Sequence, residues 1–105
     1  MHKKRCLPCE GGVPKMTPPE VQKNLTRVPG WNLVSEQLVR SFTFPDFVQT
    51  MKFTNRVADL AEKEGHHPDF EIHYSQLKLS LWTHAVGGLT ENDFIMAEEI
   101  NALAN

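Results

Sequence analysis

Two periodicities alternate along the chain. Leu38, Phe42 and Phe44 fall on one face at a period of two, and so do Leu77, Leu79 and Leu81, opposite Gln76, Lys78, Ser80, Trp82 and His84. That period is the mark of a strand with one buried face. Trp31 to Val34 and the alternation Phe70, Ile72, Tyr74 give two further, shorter strands. Elsewhere the apolar positions recur at three- and four-residue steps, first Phe47, Met51, Val57, Ala58, Leu60 and Ala61, then Phe94, Met96, Ala97, Ile100 and Leu103, as on helices with one apolar stripe.

The residues between these stretches supply starts and stops. Thr17-Pro18-Pro19-Glu20 combines a hydroxyl cap, a proline in the first turn and a glutamate that can reach back to the cap, so a short helix is expected from about Pro18 to Arg27, ended by Val28-Pro29-Gly30. Ser35-Glu36 is short enough to join the strands Trp31–Val34 and Gln37–Phe44 as a hairpin. Asp46 to Gln49 opens a long helix over about Phe47 to Glu64, and Gly65 fits its left-handed C-terminal position. Gly87-Gly88 ends the fourth strand, and Thr90 to Asp93 caps a last helix.

The resulting order is α-β-β-α-β-β-α. Short links within each strand pair require antiparallel pairing. The expected fold class is therefore α+β, a two-layer domain with a four-stranded antiparallel sheet and three helices on one face. At 105 residues there is room for one such domain. It is expected to occupy residues 17–105, preceded by a flexible arm over residues 1–16, where Gly, Pro, Cys and basic residues show no apolar periodicity.

Charge and composition narrow the function. Four of the eleven Lys and Arg and one of the thirteen acids lie in residues 1–16, which leaves seven cations against twelve acids, a net −5, for the rest. An acidic body lacks the basic face that phosphate contacts need, so no nucleic-acid partner is expected. No apolar run approaches the length of a membrane span, and the basic start leads into Cys6-Leu7-Pro8-Cys9 rather than an apolar core, so neither a membrane partner nor a secretory signal is expected and the chain is assigned to the cytoplasm. Cys6 and Cys9 can supply two ligands of the four a structural zinc takes, with no second pair in the chain; the plain reading is a pair of reduced thiols in the arm.

Four of the five histidines lie between positions 66 and 84. His66 and His67 follow directly on the long helix, at the negative end of its dipole, and His84 lies at the end of the fourth strand, among the loops. Three imidazoles converging on a pocket can hold a zinc ion or shuttle protons near neutral pH. Adjacent histidines on a turn point poorly at one ion. Glu62 can orient His66 or His67. Asp93 is explained equally well as a helix cap. Trp31, Phe70 and Trp82 read first as core or interface rather than as ligand-stacking residues.

The residues Glu62, three positions, His66-His67-Pro68, five positions, Tyr74, nine positions, His84, eight positions, Asp93 resemble the signature of the pterin-4a-carbinolamine dehydratases. Gly30-Trp31, Phe53, Arg56-Val57-Ala58, Ala61-Glu62, Thr83-His84 and Gly87-Gly88-Leu89-Thr90 extend the resemblance over residues 17–105. It implies a small α+β subunit assembled as a homodimer or homotetramer, with no cofactor. It also implies dehydration of 4a-hydroxytetrahydrobiopterin to the quinonoid dihydropterin and water, a recycling step for an aromatic amino acid hydroxylase such as phenylalanine hydroxylase. The family's catalytic trio maps onto His66, His67 and His84, and substrate-binding or orienting roles fall on Glu62, Pro68, Phe70, Thr83 and Asp93. No metal is implied, because the pterin nitrogen itself stabilises the developing cation. The arm is similar to extensions of bacterial members. Two alternatives accompany the resemblance: a pterin role in folate or molybdopterin metabolism, and a protein-binding, coactivator-like module.

Overall fold

The computed structural model describes residues 14–104, so Cys6, Cys9 and the expectations attached to them lie outside the described residues. Helix α1 (Pro18–Asn24) starts on Thr17, whose hydroxyl accepts from the Glu20 amide while the Glu20 carboxylate accepts from the Thr17 amide. The same bonds favour the ionised acid and hold the Glu20 carboxyl below its usual range. The expected continuation to Arg27 tightens into a 3₁₀ turn over Leu25–Arg27, because Val28, preceding a proline, takes φ −128° and ψ 70° and cannot continue the helix. Arg27 then spans to the last helix, bonding Glu91 at 2.8 Å and Glu98 at 3.0 Å, and these two acids raise its proton affinity above that of an ordinary arginine.

Strands β1 (Asn32–Val34), β2 (Gln37–Thr43), β3 (Asp69–His73) and β4 (Gln76–Leu81) form one antiparallel sheet in the order β1-β2-β4-β3. The long register between β2 and β4, from Leu38 opposite Leu81 to Thr43 opposite Gln76, sets Leu38, Leu77, Leu79 and Leu81 on one face, all fully buried. Against them pack Val57 and Ala61 of helix α2 (Phe47–Glu64) and Phe94, Ala97 and Ile100 of helix α3 (Glu91–Ala104). The sheet is thus covered by helices on the face that its alternation marks as apolar, as the sequence predicts. No helix among the described residues is long and apolar enough to cross a membrane.

Three details shape one end of the sheet. Helix α2 begins on Asp46, which accepts from the Gln49 amide, and ends on Gly65 at φ 69° and ψ 25°. A Cβ there would meet nothing within 4 Å, so only the left-handed backbone requires glycine, and Gly65→Ala is expected to lower unfolding free energy by about 1 kcal/mol in urea titration. Helix α3 is not the one-sided stripe its sequence suggests: Asn92 to Ala97 are all buried, two of them polar. Strand β4 stops at Leu81, short of His84. Thr83 donates its amide to the Gly88 carbonyl at 2.8 Å and its carbonyl accepts from the amides of Val86 and Gly87, which folds residues 84–87 into a tight turn with Gly87 at φ 66°.

Candidate active site

The left-handed exit from α2 and the turn after β4 lie side by side at one end of the sheet. Between them is a cavity of about 250 Å³ lined by Gly65, His66, His67, Trp82, His84 and Ala85. The fold therefore brings to one wall the three histidines singled out by their spacing. Two larger hollows, of about 430 and 580 Å³, contain none of them: the first lies between α1 and the β1–β2 hairpin, the second beside β2 and α2.

Each imidazole has a different environment. His66 is 5% exposed, and its Nε2 lies 2.7 Å from Oδ1 of Asp93, which is fully buried. The other carboxylate oxygen of Asp93 accepts from the Thr83 hydroxyl at 2.8 Å and from the Thr90 amide at 2.9 Å. The donors run in one direction. The Asn92 amide donates to the Thr90 hydroxyl, Thr90 to the Thr83 hydroxyl, and Thr83 to Asp93. A carboxylate offering only acceptors to this set places a proton on Nε2 of His66.

His67 is more exposed, and its Nε2 meets the exposed Glu62 carboxylate at 2.7 Å. The His84 ring lies on the Trp82 indole, centroids 3.9 Å apart and planes 27° from parallel.

The other sequence-derived residues divide around this wall. Asp93 and Thr83 sit behind His66, buried and hydrogen-bonded within the protein. Glu62 stands beside His67. Pro68 is buried after the turn, and Phe70, half-buried on β3 opposite Leu79, packs on the core; neither lines the cavity. Trp82, expected from the sequence as core or interface, packs on the core and also forms part of the cavity wall. Its signal was the alternation itself, since residues two apart in extended chain project to the same side and Trp82 precedes His84 by two.

A family model described as "Pterin 4 alpha carbinolamine dehydratase" matches residues 14–103. The chain is similar to proteins of Rickettsia bellii (strain OSU 85-389) and Chlorobaculum tepidum, each carrying the name "Putative pterin-4-alpha-carbinolamine dehydratase". The first is 44% identical over 104 residues, covering 97% of this chain and 92% of that protein. The second is 45% identical over 107 residues, covering 98% and 96%. A crystal structure described as a transcriptional coactivator/pterin dehydratase from Brucella melitensis superposes with a TM-score of 0.83 at 36% identity, covering 88% of this chain and 100% of that one.

Proposed function

Because the chain belongs to the pterin 4 alpha carbinolamine dehydratase family, we propose that it dehydrates a 4a-hydroxytetrahydropterin by imidazole acid–base catalysis, returning the quinonoid dihydropterin to a cycle fed by an aromatic amino acid hydroxylase. The observation that carries this reading is the convergence of His66, His67 and His84 on one small cavity. At about 250 Å³ it lies below the range usual for drug-sized ligands and suits a flat bicycle better than a polymer.

The reaction is redox-neutral. A proton reaches the 4a-hydroxyl, the C4a–O bond breaks, and the oxygen leaves as water. The N5 lone pair forms the C4a–N5 double bond, and the N5 proton is then lost. One proton enters and one leaves, so the site needs a donor and an acceptor on either side of two adjacent ring atoms. Imidazole exchanges protons near neutral pH. His66 and His84 face the same cavity from the helix exit and the strand-end turn, and take these two roles. His67, at the more exposed position and paired with Glu62, holds the ring. His67→Ala is accordingly expected to raise KM by about 10-fold while changing kcat less, since it removes ground-state binding.

The test is a stopped-flow assay that follows loss of the ultraviolet absorbance of a chemically generated 4a-carbinolamine. Acceleration well above the uncatalysed rate, insensitive to a chelator, is expected. A rate equal to buffer alone would leave the family's scaffold without this activity.

A further inference from the structure

The three imidazoles differ in what holds them. Nε2 of His66 is bonded to Asp93 and Nε2 of His67 to Glu62, each at 2.7 Å. His84 is exposed, and its side chain has no hydrogen bond to any described residue; its only ring partner is the indole of Trp82, 3.9 Å away. On the dehydratase reading of this cavity, we propose that Trp82 is a positioning residue, a flat platform that fixes the plane of the His84 imidazole at the cavity wall and leaves both ring nitrogens open to substrate.

Three features support this role. The backbone of His84 is fixed by the turn that Thr83 and Gly88 close, but its side chain still has two free torsions, and an exposed histidine with no partner would spread over several rotamers. A carboxylate partner would remove that freedom only by committing one nitrogen, as Asp93 and Glu62 do for the other two histidines. A stacked ring removes it and commits neither.

The platform itself is anchored. Trp82 follows directly on Leu81 at the end of β4 and packs on the hydrophobic core, which holds its indole plane. Finally, Nε1 of Trp82 is buried and has no acceptor among the described residues. Such an orphaned donor is costly, and a residue that only filled space at this position would not carry it. The site tolerates the cost where the broadest aromatic face lies beneath an imidazole.

Three variants test the proposal: Trp82→Phe, which keeps an aromatic face and deletes the orphaned N–H, Trp82→Leu, which keeps bulk without a ring, and Trp82→Gln as a second non-aromatic replacement should the leucine variant not fold. In the substrate-free protein, the His84 ring protons, assigned by comparison with His84→Gln, are expected upfield in wild type and Trp82→Phe, and at the unstacked position in the non-aromatic variants. In the dehydration assay the non-aromatic variants are expected to lose about 10- to 100-fold in kcat with KM within about 2-fold, the signature of a misplaced catalytic group. Trp82→Phe is expected to recover to within about 3-fold of wild type, with thermal stability equal or higher. Unchanged His84 shifts on removing the ring, unchanged kcat, or a phenylalanine variant no better than leucine would overturn the proposal. If wild type fails to dehydrate the carbinolamine, the dehydratase reading falls, and the substrate-free ring shifts still decide whether Trp82 holds His84.

Discussion

His66→Ala and His84→Ala are each expected to lower kcat for carbinolamine dehydration by on the order of 100-fold or more, the usual worth of a positioned general acid or base. Their stabilities should part company. His84 is exposed, turn-borne and without a side-chain hydrogen bond, so its removal is expected to change unfolding free energy by less than about 0.5 kcal/mol. His66 is 5% exposed and is the donor to one oxygen of a fully buried carboxylate, and its loss leaves that oxygen unmatched, at about 1–3 kcal/mol. Stopped-flow rates alongside urea titrations of both variants measure the two effects separately. Wild-type turnover in both would remove the acid–base roles assigned to this cavity, and equal stability in both would mean that the buried pair contributes nothing to the fold.

That difference between two histidines of equal chemical interest shows how much of the site the sequence could carry. The placement of His66 was legible because it follows a local rule: a glycine at the C-terminal position of α2 fixes a left-handed exit, and the next residue must leave the helix there. The strands, their faces and their antiparallel pairing were likewise legible from alternation and short links, and the two-layer packing followed. The bond between His66 and Asp93 was not. It joins residues 27 apart in sequence, and it exists only because α3 docks with its first turns buried, an outcome of tertiary packing that no local pattern encodes. Asp93 announced itself as a cap, and it is one, accepting from the Thr90 amide with one oxygen while the other is turned to a histidine.

The turns illustrate a second limit. Ser35 and Glu36 both adopt positive φ in the β1–β2 hairpin, and Tyr74 does so between β3 and β4, where sequence rules look for glycine or asparagine. Strand pairing on both sides imposes these conformations, and the Tyr74 ring stacks on Phe47, with centroids 6.4 Å apart.

Asp93→Asn should approach the activity loss of His66→Ala with almost no change in shape. The wild-type carboxylate receives donors on both oxygens: Nε2–H of His66 on one, and the Thr83 hydroxyl and Thr90 amide on the other. An amide has a single acceptor oxygen. If that oxygen stays with the two threonines, the new NH₂ faces Nε2 of His66, which must surrender its proton and become the acceptor. The proton then resides on Nδ1, and the imidazole is held in the opposite tautomer from that of the wild type. Misplacing that proton withdraws His66 as a proton donor or acceptor, as the same error does in the Ser-His-Asp triad, so the expected loss approaches that of His66→Ala, on the order of 100-fold. If the amide instead turns its oxygen to His66, the NH₂ meets the Thr90 N–H, and the helix cap is lost at about 1 kcal/mol or more. Nitrogen NMR of the His66 ring distinguishes the two, since the tautomer changes in the first and not in the second. Asp93→Ala removes every acceptor at once and is expected to destabilise the fold by about 2–4 kcal/mol. An asparagine variant with the wild-type tautomer and wild-type kcat would show that Asp93 serves α3 alone, and that His66 acts without it.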